Sequence, residues 1–508
     1  MNWSSCSRTS QGKALSMKYM CLFCIAAAAR ELGDNLELED VVIGVGHELG
    51  FDKVDLDLST WKVNPWSNMI EVVRIQTEGH HNLHKNDDNV LPMKAEAHKA
   101  VHSPSQLLQA RLRSGRSIGP ARRTRQARSG SAMADCMQEW PEPIVRVQAV
   151  AESGLAAIPG CYVKPPHDRP AQQHLAAVAV LHEPSDTSIP VIDLGELLAA
   201  DEGRIDGLIT EAVAAACRDW GFFQVVNHGV APELMRAVRE AWRGFFRLPI
   251  SAKQQYANQP RTYEGYGSRV GVQKGGPLDW GDYYFLHLAP EAAKSPDKYW
   301  PTNPAICKEL SEEYGREVTR LCELLMKVLS ASLGLEETRF REAFGGAECG
   351  TCLRANYYPR CPQPDLTLGL SAHSDPGVLT VLLADEHVRG LQVRRADGEW
   401  VTVQPVRHDA FIVNVGDQIQ ILSNSVYKSV EHRVIVNAKE ERISLALFYN
   451  PRGDVPIAPA PELVTPDRPS LYPPMTFDEY RVYIRKNGPR GKAQLEGFKG
   501  KAAPAGNK

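Results

Sequence analysis

His373-Ser374-Asp375 places an imidazole and a carboxylate two residues apart. Side chains alternate between the two faces of extended chain, so residues i and i+2 project the same way and can chelate one ion. A second histidine, His432 in the run VEHRVIV, would complete a set of two histidines and one carboxylate. Such a set grips one face of a metal and leaves three coordination positions open for reactants. A lone His-x-Asp arises readily by chance in a chain with fifteen histidines, and a lone His432 would read as structural. An ordered combination with a further pair downstream gives the set its weight. Ten residues beyond His432 stand Arg442 and Ser444, again at i, i+2 in an otherwise apolar run. An inward-facing arginine needs an anion, and a carboxylate matches its planar fork in bidentate fashion. An internal salt bridge would satisfy Arg442 on this pair alone; with the metal set upstream, a bound carboxylate is the better reading.

These groups need a rigid frame, and the hydrophobic pattern supplies one. From Leu353 onward, short apolar runs alternate with turn residues: LRANYY, VLTVLLAD, GLQV, WVTV, AFIVNVGD, IQIL, HRVIV and ISLALFY. Their spacing predicts a jelly roll. Upstream, residues 189–194 read as a strand and residues 204–220 as a helix stopped by Gly221. A strand and turn come next over 221–229, then helices over 232–246 and 306–333. The expected fold class is α+β, a double-stranded β-helix (jelly roll) core flanked by helices. The expected organisation has a leader over 1–132 that is disordered or foreign to the native protein, and a helix-rich N-terminal region over 133–335. The jelly-roll catalytic domain with its C-terminal helix would span 336–492, and a disordered tail 493–508. Residues 79–131 contain no aromatic residue, and residues 111–128 carry seven arginines without one acid. Such a stretch cannot bury enough apolar surface to offset its ordering entropy. Met133 or Met137 would open a compact protein directly before WPEPIVRVQ.

Bulk composition excludes several classes. The 508 residues are 43% hydrophobic and 23% charged with a formal net charge of -3, which describes a globular protein without a whole-chain basic field. Neither nucleic acid nor an anionic membrane is therefore expected as a partner. No apolar run approaches the roughly 20 residues needed to span a bilayer. The stretch 19–29 after Lys13 and Lys18 resembles part of a signal peptide, but the start is too long and polar for one. Eleven scattered cysteines lack the density of a secreted disulfide framework, which favours reduced thiols and a cytoplasmic or nuclear location. Cys21 and Cys24 form a C-x-x-C with no second pair nearby, so no metal or redox role is read there.

Over residues 140–491 the chain carries IPVIDL, WGFFQVVNHGV, NYYPRCPQPD, LGLSAHSDPGVLTVLL, GDQIQILSN, YKSVEHRV and ERISLALFYNP. In these motifs it resembles the plant soluble 2-oxoglutarate/iron(II)-dependent dioxygenases. The resemblance implies that His373, Asp375 and His432 bind Fe(II), that Arg442 and Ser444 hold the distal carboxylate of 2-oxoglutarate, and that Asn356 and Tyr358 assist. It further implies O2 as co-substrate, ascorbate as reductant, and hydroxylation coupled to release of succinate and carbon dioxide. His228, in NHG, lies outside the metal-binding motifs and reads as structural.

Four further segments, WPEPIVRVQAVAESG, RTYEGYGSRVGVQKG, LDWGDYYFLHL and LYPPMTFDEYRVYIRKNGPRGK, resemble the jasmonate-induced oxygenases. Those enzymes hydroxylate jasmonic acid at the end of its pentenyl chain. By this resemblance the substrate is a small carboxylate, the product is 12-hydroxyjasmonate, and the effect is a smaller active hormone pool and weaker defence signalling. The residues agree in part. Arg354 has the parity of Asn356 and Tyr358, so it should point inward, where an unpaired cation is costly and calls for an anion. Arg481 and Arg485 are i, i+4 on an expected C-terminal helix, neighbours on one face that either close over the barrel mouth or form a solvated basic face. Phe448 and Phe477 are candidate walls for an apolar ring. Two alternatives share the frame: a flavonoid oxygenase of the anthocyanidin or flavonol synthase type, whose substrate has no carboxylate, and a non-catalytic hormone-binding module. Nothing in the sequence specifies an oligomeric state.

Overall fold

The computed structural model describes residues 61–63, 70–72, 145–171, 189–199, 207–259, 263–268, 275–294, 297–487 and 491–499. Trp61–Val63 (β1) and Ile70–Val72 (β2) pair antiparallel. The rest of the expected leader, its arginine run included, lies outside the described residues, as do residues 500–508.

Helices alternate with strands in the first part of the main unit. Val147–Glu152 (α1), Gly195–Ala199 (α2), Gly207–Asp219 (α3), Pro232–Phe246 (α4) and Ile250–Gln254 (α5) precede the long Cys307–Ala331 (α6) and the short Arg339–Ala343 (α7). α4 begins on a proline, whose missing N–H is no loss at a first helical position, and buries Leu234, Met235, Val238, Ala241, Trp242 and Phe245 at helical spacing. α6 does the same with Val318, Leu321, Cys322, Leu325 and Leu329. Gly221 turns the chain after α3 with φ of 62°, and a Cβ there would run into the Lys428 carbonyl, so only glycine fits.

The strands of the two large sheets are Val191–Asp193 (β3), Phe222–Val226 (β4), Gly265–Gly267 (β5), Asp282–Ala289 (β6), Gly350–Tyr358 (β7), Leu370–His373 (β8), Leu379–Leu383 (β9), Leu391–Arg394 (β10), Trp400–Thr402 (β11), Phe411–Val415 (β12), His432–Val434 (β13) and Arg442–Asn450 (β14). Eight of them form one sheet in the order β3-β4-β12-β9-β14-β7-β6-β5, and four form a second in the order β11-β10-β13-β8. Side chains from both sheets line a common cavity, which makes the core a jelly roll. Alternation along β14 shows how the larger sheet is two-sided. Ile443, Leu445, Leu447 and Tyr449 are buried in the main core with Val318, Leu321 and Leu325 of α6, while Arg442, Ser444, Ala446, Phe448 and Asn450 line the cavity. Burying one such aliphatic side chain is worth about 1.5–3 kcal/mol, so a one-residue slip of β14 would exchange its core face for its site face and is strongly disfavoured.

Three expectations need correction. The run IQIL is helical: Asp417–Leu422 (α8) comes directly after β12, because Gly416 and Asp417 open a helix where apolar content alone suggested a strand. The division at 335/336 does not separate a helical region from the sheet, since β3, β4, β5 and β6 all precede it and belong to the larger sheet. The C-terminal helix Phe477–Asn487 (α9) is present, but order continues beyond 492. Ala493–Glu496 (α10) brings Leu495 into full burial, and Phe498 packs edge-on against Tyr480 and Tyr483.

Candidate active site

β8 and β13 lie side by side in the smaller sheet with His373 directly opposite His432, and their ring centroids are 4.2 Å apart. β8 ends at His373. Asp375 therefore lies in the succeeding loop and not on the strand, so strand parity alone does not bring the two together as the spacing suggested. The loop returns the carboxylate all the same. Asp375 Oδ1 is 3.5 Å from His373 Nε2 and 3.6 Å from His432 Nε2, and the donor atoms of the three all lie within 4.8 Å of one another. Among the described residues this is the one such cluster of histidine, cysteine and acidic side chains.

The surroundings fix each donor. His373 Nδ1 meets the Ser371 carbonyl at 2.8 Å and His432 Nδ1 the Val430 carbonyl at 3.3 Å, which leaves both Nε2 atoms facing Asp375. Asp375 Oδ2 accepts from Thr380 Oγ1 at 2.5 Å and Asn414 Nδ2 at 2.8 Å, leaving Oδ1 toward the histidines. Thr380 and Asn414 are register partners on β9 and β12, so one cross-strand pair orients the carboxylate. Neither stands out in the sequence. Burial opposes the charge on Asp375, but His432 and the bonds from His373 and Thr380 outweigh it and hold the carboxyl well below its usual range. Burial together with His373 pushes His432 down to about 4, while Asp375 outweighs burial at His373 and raises it. An ionised carboxylate and two Nε2 atoms turned toward it are the donors a divalent metal takes once His373 has shed its proton, and iron(II) suits this oxygen and nitrogen set.

Next to this cluster, β7 and β14 pair so that Arg442 stands opposite Tyr358, Ser444 opposite Asn356, Ala446 opposite Arg354 and Phe448 opposite Cys352. The parity reading of Arg354, Asn356, Tyr358, Arg442 and Ser444 thus places all five along one ladder. Arg442 is 3% exposed, reaches Ser444 Oγ at 3.3 Å and lies with its Cζ 5.4 Å from the Tyr358 ring centre. Its Nε is buried without a hydrogen-bond partner, and it makes no ion pair among the described residues. The internal salt bridge that would have removed the need for a ligand is absent there. A buried guanidinium with an unfilled donor fits a carboxylate such as that of 2-oxoglutarate.

Both groups open into a cavity of about 270 Å³. Arg354 enters it with its Cζ 4.2 Å from the Tyr283 ring centre and its Nε unpartnered. Phe448 and Phe477 line the same space, as does Arg481. Arg481 is not wholly free, since it lies 3.5 Å from Asp478, an exposed i, i+3 pair of the kind worth under about 1 kcal/mol. The side chain of Arg485 lies outside the described residues. Tyr283, Phe285 and His287 of β6, which face Asn356, Arg354 and Cys352 across the register, also line the cavity. The period-2 run DYYFLHLA is the signal that could have found them. His228 is elsewhere: it bonds the Asp409 carbonyl at 2.7 Å and accepts from Val230 N, a structural role.

Comparison with known proteins places this geometry. Residues 349–451 match the 2OG-Fe(II) oxygenase superfamily, and residues 189–304 match the non-haem dioxygenase in morphine synthesis N-terminal family. The chain is 59% identical to jasmonate-induced oxygenase 2 of Arabidopsis thaliana over 360 residues, 71% of this chain and 94% of that protein. Flavanone 3-dioxygenase 2 of Oryza sativa subsp. japonica is 42% identical, over 64% of this chain and 89% of that protein. The crystal structure of JOX2 in complex with 2OG, Fe and JA superposes with a TM-score of 0.65 at 57% identity, covering 71% of this chain and 99% of that one. A histidine-aspartate-histidine cluster beside a buried, unsatisfied arginine in a jelly roll, together with these likenesses, assigns the chain to the 2OG-Fe(II) oxygenase superfamily, as a relative of the plant jasmonate-induced oxygenases.

Proposed function

We propose that this protein hydroxylates jasmonic acid, consuming 2-oxoglutarate and O2 and releasing 12-hydroxyjasmonate, succinate and carbon dioxide. The observation that carries the reading is a second cation in the cavity beyond the one suited to 2-oxoglutarate. Arg354 stands one step along the ladder from Asn356, rests against the Tyr283 ring with no ion pair among the described residues, and has an unfilled donor. Phe285, Phe448 and Phe477 supply apolar walls around it. A small ring bearing a carboxylate satisfies both features. A flavonoid offers no charge for Arg354, and the more distant likeness to flavonoid enzymes agrees with that.

Iron(II) held by His373, Asp375 and His432 would supply the activation of O2. The chain's own residues do the rest. Arg442 and Ser444 orient the distal carboxylate of 2-oxoglutarate, with Asn356 and Tyr358 beside them, while Thr380 and Asn414 hold Asp375 in one orientation. Arg354 and Arg481 take the substrate carboxylate, with Arg485 extending the same helix face, and the phenylalanines exclude water from the reacting carbon. Ascorbate would keep the metal reduced. A hormone-binding module without catalysis would have no use for the complete donor set. No helix among the described residues is long and apolar enough to cross a membrane. The scattered cysteines support a cytoplasmic or nuclear location. The test is incubation of purified protein with iron(II), 2-oxoglutarate and a panel of jasmonates, gibberellins and flavonoids, with product and succinate both quantified. Stimulation by jasmonic acid above the others supports the reading, and preference for a flavonoid overturns it.

A further inference from the structure

We propose that α8 is a bracket fixing helix α9 to the loop that carries Asp375, with Tyr480 and Asp417 as the positioning pair. The choice of ligand in its test rests on the jasmonate reading; the bracket itself does not. One side of α8 holds the loop. The N–H groups of a helix's first turn lack intrahelical partners, and here the loop carbonyls fill them. Gly416 N donates to Val378 O at 2.8 Å, Asp417 N to Asp375 O at 2.8 Å and Gln418 N to Gly377 O at 3.0 Å. Gln418 Nε2 adds a bond to Pro376 O at 3.1 Å. Every carbonyl from Asp375 to Val378 is thereby engaged. A Cβ on Gly416 would collide with the Gly377 carbonyl, so this close approach requires glycine.

The other side of α8 holds the C-terminal elements. Asp417 is fully buried, and its Oδ2 accepts from Tyr480 OH at 2.7 Å and from Ser374 Oγ at 3.2 Å. Gln420 donates to Tyr472 OH at 2.8 Å, and its Oε1 accepts from Lys492 Nζ at 2.7 Å and Ser429 N at 2.9 Å. Tyr480 is 1% exposed and faces away from the cavity, whereas Phe477, Arg481 and Ile484 on the same helix face into it. A carboxylate one bond from the Asp375 loop is therefore also one bond from the helix that forms a cavity wall. Cutting the Tyr480 bond frees that wall while leaving the bonds from α8 to the loop intact.

Tyr480→Phe removes only the hydroxyl. The expected result is a KM for jasmonic acid raised about fivefold, the scale of one intramolecular hydrogen bond, and fewer hydroxylated products per succinate. The 2-oxoglutarate KM and the succinate formed without substrate stay at wild-type values. Asp417→Asn, which keeps an acceptor for Tyr480, should lie nearer to wild type. Unchanged KM and product ratio in Tyr480→Phe overturn the proposal, as does an equal loss of the substrate-free reaction, which marks a general structural role. If the wild-type protein itself ignores jasmonic acid, the substrate reading fails separately. Amide exchange over residues 477–484 of the resting protein then decides: faster exchange in Tyr480→Phe supports the bracket, and unchanged exchange overturns it.

Discussion

Replacing Arg442 by alanine should cost 2-oxoglutarate binding far more than it costs folding. The side chain is 3% exposed, bonds Ser444 and Tyr358 and leaves Nε unfilled, and its burial outweighs these partners and the nearby Asp385, so the free protein buries this cation at a loss. A carboxylate would gain two charge-assisted bonds at about 1.5–3 kcal/mol each. Part of that gain is retained through the metal at the other end of the co-substrate. A net loss of about 3 kcal/mol corresponds to a Kd raised more than about a hundredfold. Anaerobic titration of the metal-loaded protein with 2-oxoglutarate measures it directly. Arg442→Lys keeps the charge without the planar fork and should fall between the two. Arg442→Met should raise the Tm of the free protein while abolishing tight co-substrate binding, because it removes a buried charge whose desolvation its partners do not offset. A Kd within about threefold of wild type in Arg442→Ala would refute the assignment, since the loss of two such bonds cannot be so small.

The same geometry sets other outcomes. Arg354→Ala should leave succinate formation without substrate largely intact and weaken jasmonic acid by about 1.5–3 kcal/mol in a binding titration. Asn414→Ala deprives Asp375 of one of its two side-chain donors, and metal affinity read from cobalt(II) absorption should drop about 10–100-fold. Metal uptake should weaken on acidification by about one order of magnitude per pH unit, beginning above the ordinary histidine range. The sign comes from the imidazoles: His373 is raised and must shed a proton to bind metal, whereas His432, at about 4, is already neutral there. A slope near two would show that both imidazoles compete with the metal. A chain shortened to begin at Met133 retains every strand of both large sheets and should keep full activity in the succinate assay.

Period-2 alternation is the most legible part of the chain. Within each strand it groups Arg354 with Asn356 and Tyr358, and Arg442 with Ser444, while the pairing of the two strands decides that both sets share a face. The register itself, which sets Arg442 opposite Tyr358, depends on long-range pairing that a single strand cannot specify. Thr380 and Asn414 are invisible for the same reason: each is an ordinary polar residue in an apolar strand until β9 and β12 meet. IQIL misleads because a short apolar run reads alike as buried strand or buried helix, and only the carbonyls of the Asp375 loop give α8 its purpose. Asp375 belongs to the cluster as its spacing suggests, but strand parity is an incomplete reason, since loop closure turns it toward His373.

The proposed function requires a substrate carboxylate to be recognised separately from that of 2-oxoglutarate. Competition between jasmonic acid and its methyl ester tests it, with hydroxylated product and succinate quantified together in the wild-type protein and in Arg354→Ala. The wild type should strongly prefer the free acid, and Arg354→Ala should lose most of that preference with substrate-free succinate formation unchanged. Equal turnover of acid and ester by the wild-type protein would show that no such carboxylate site operates.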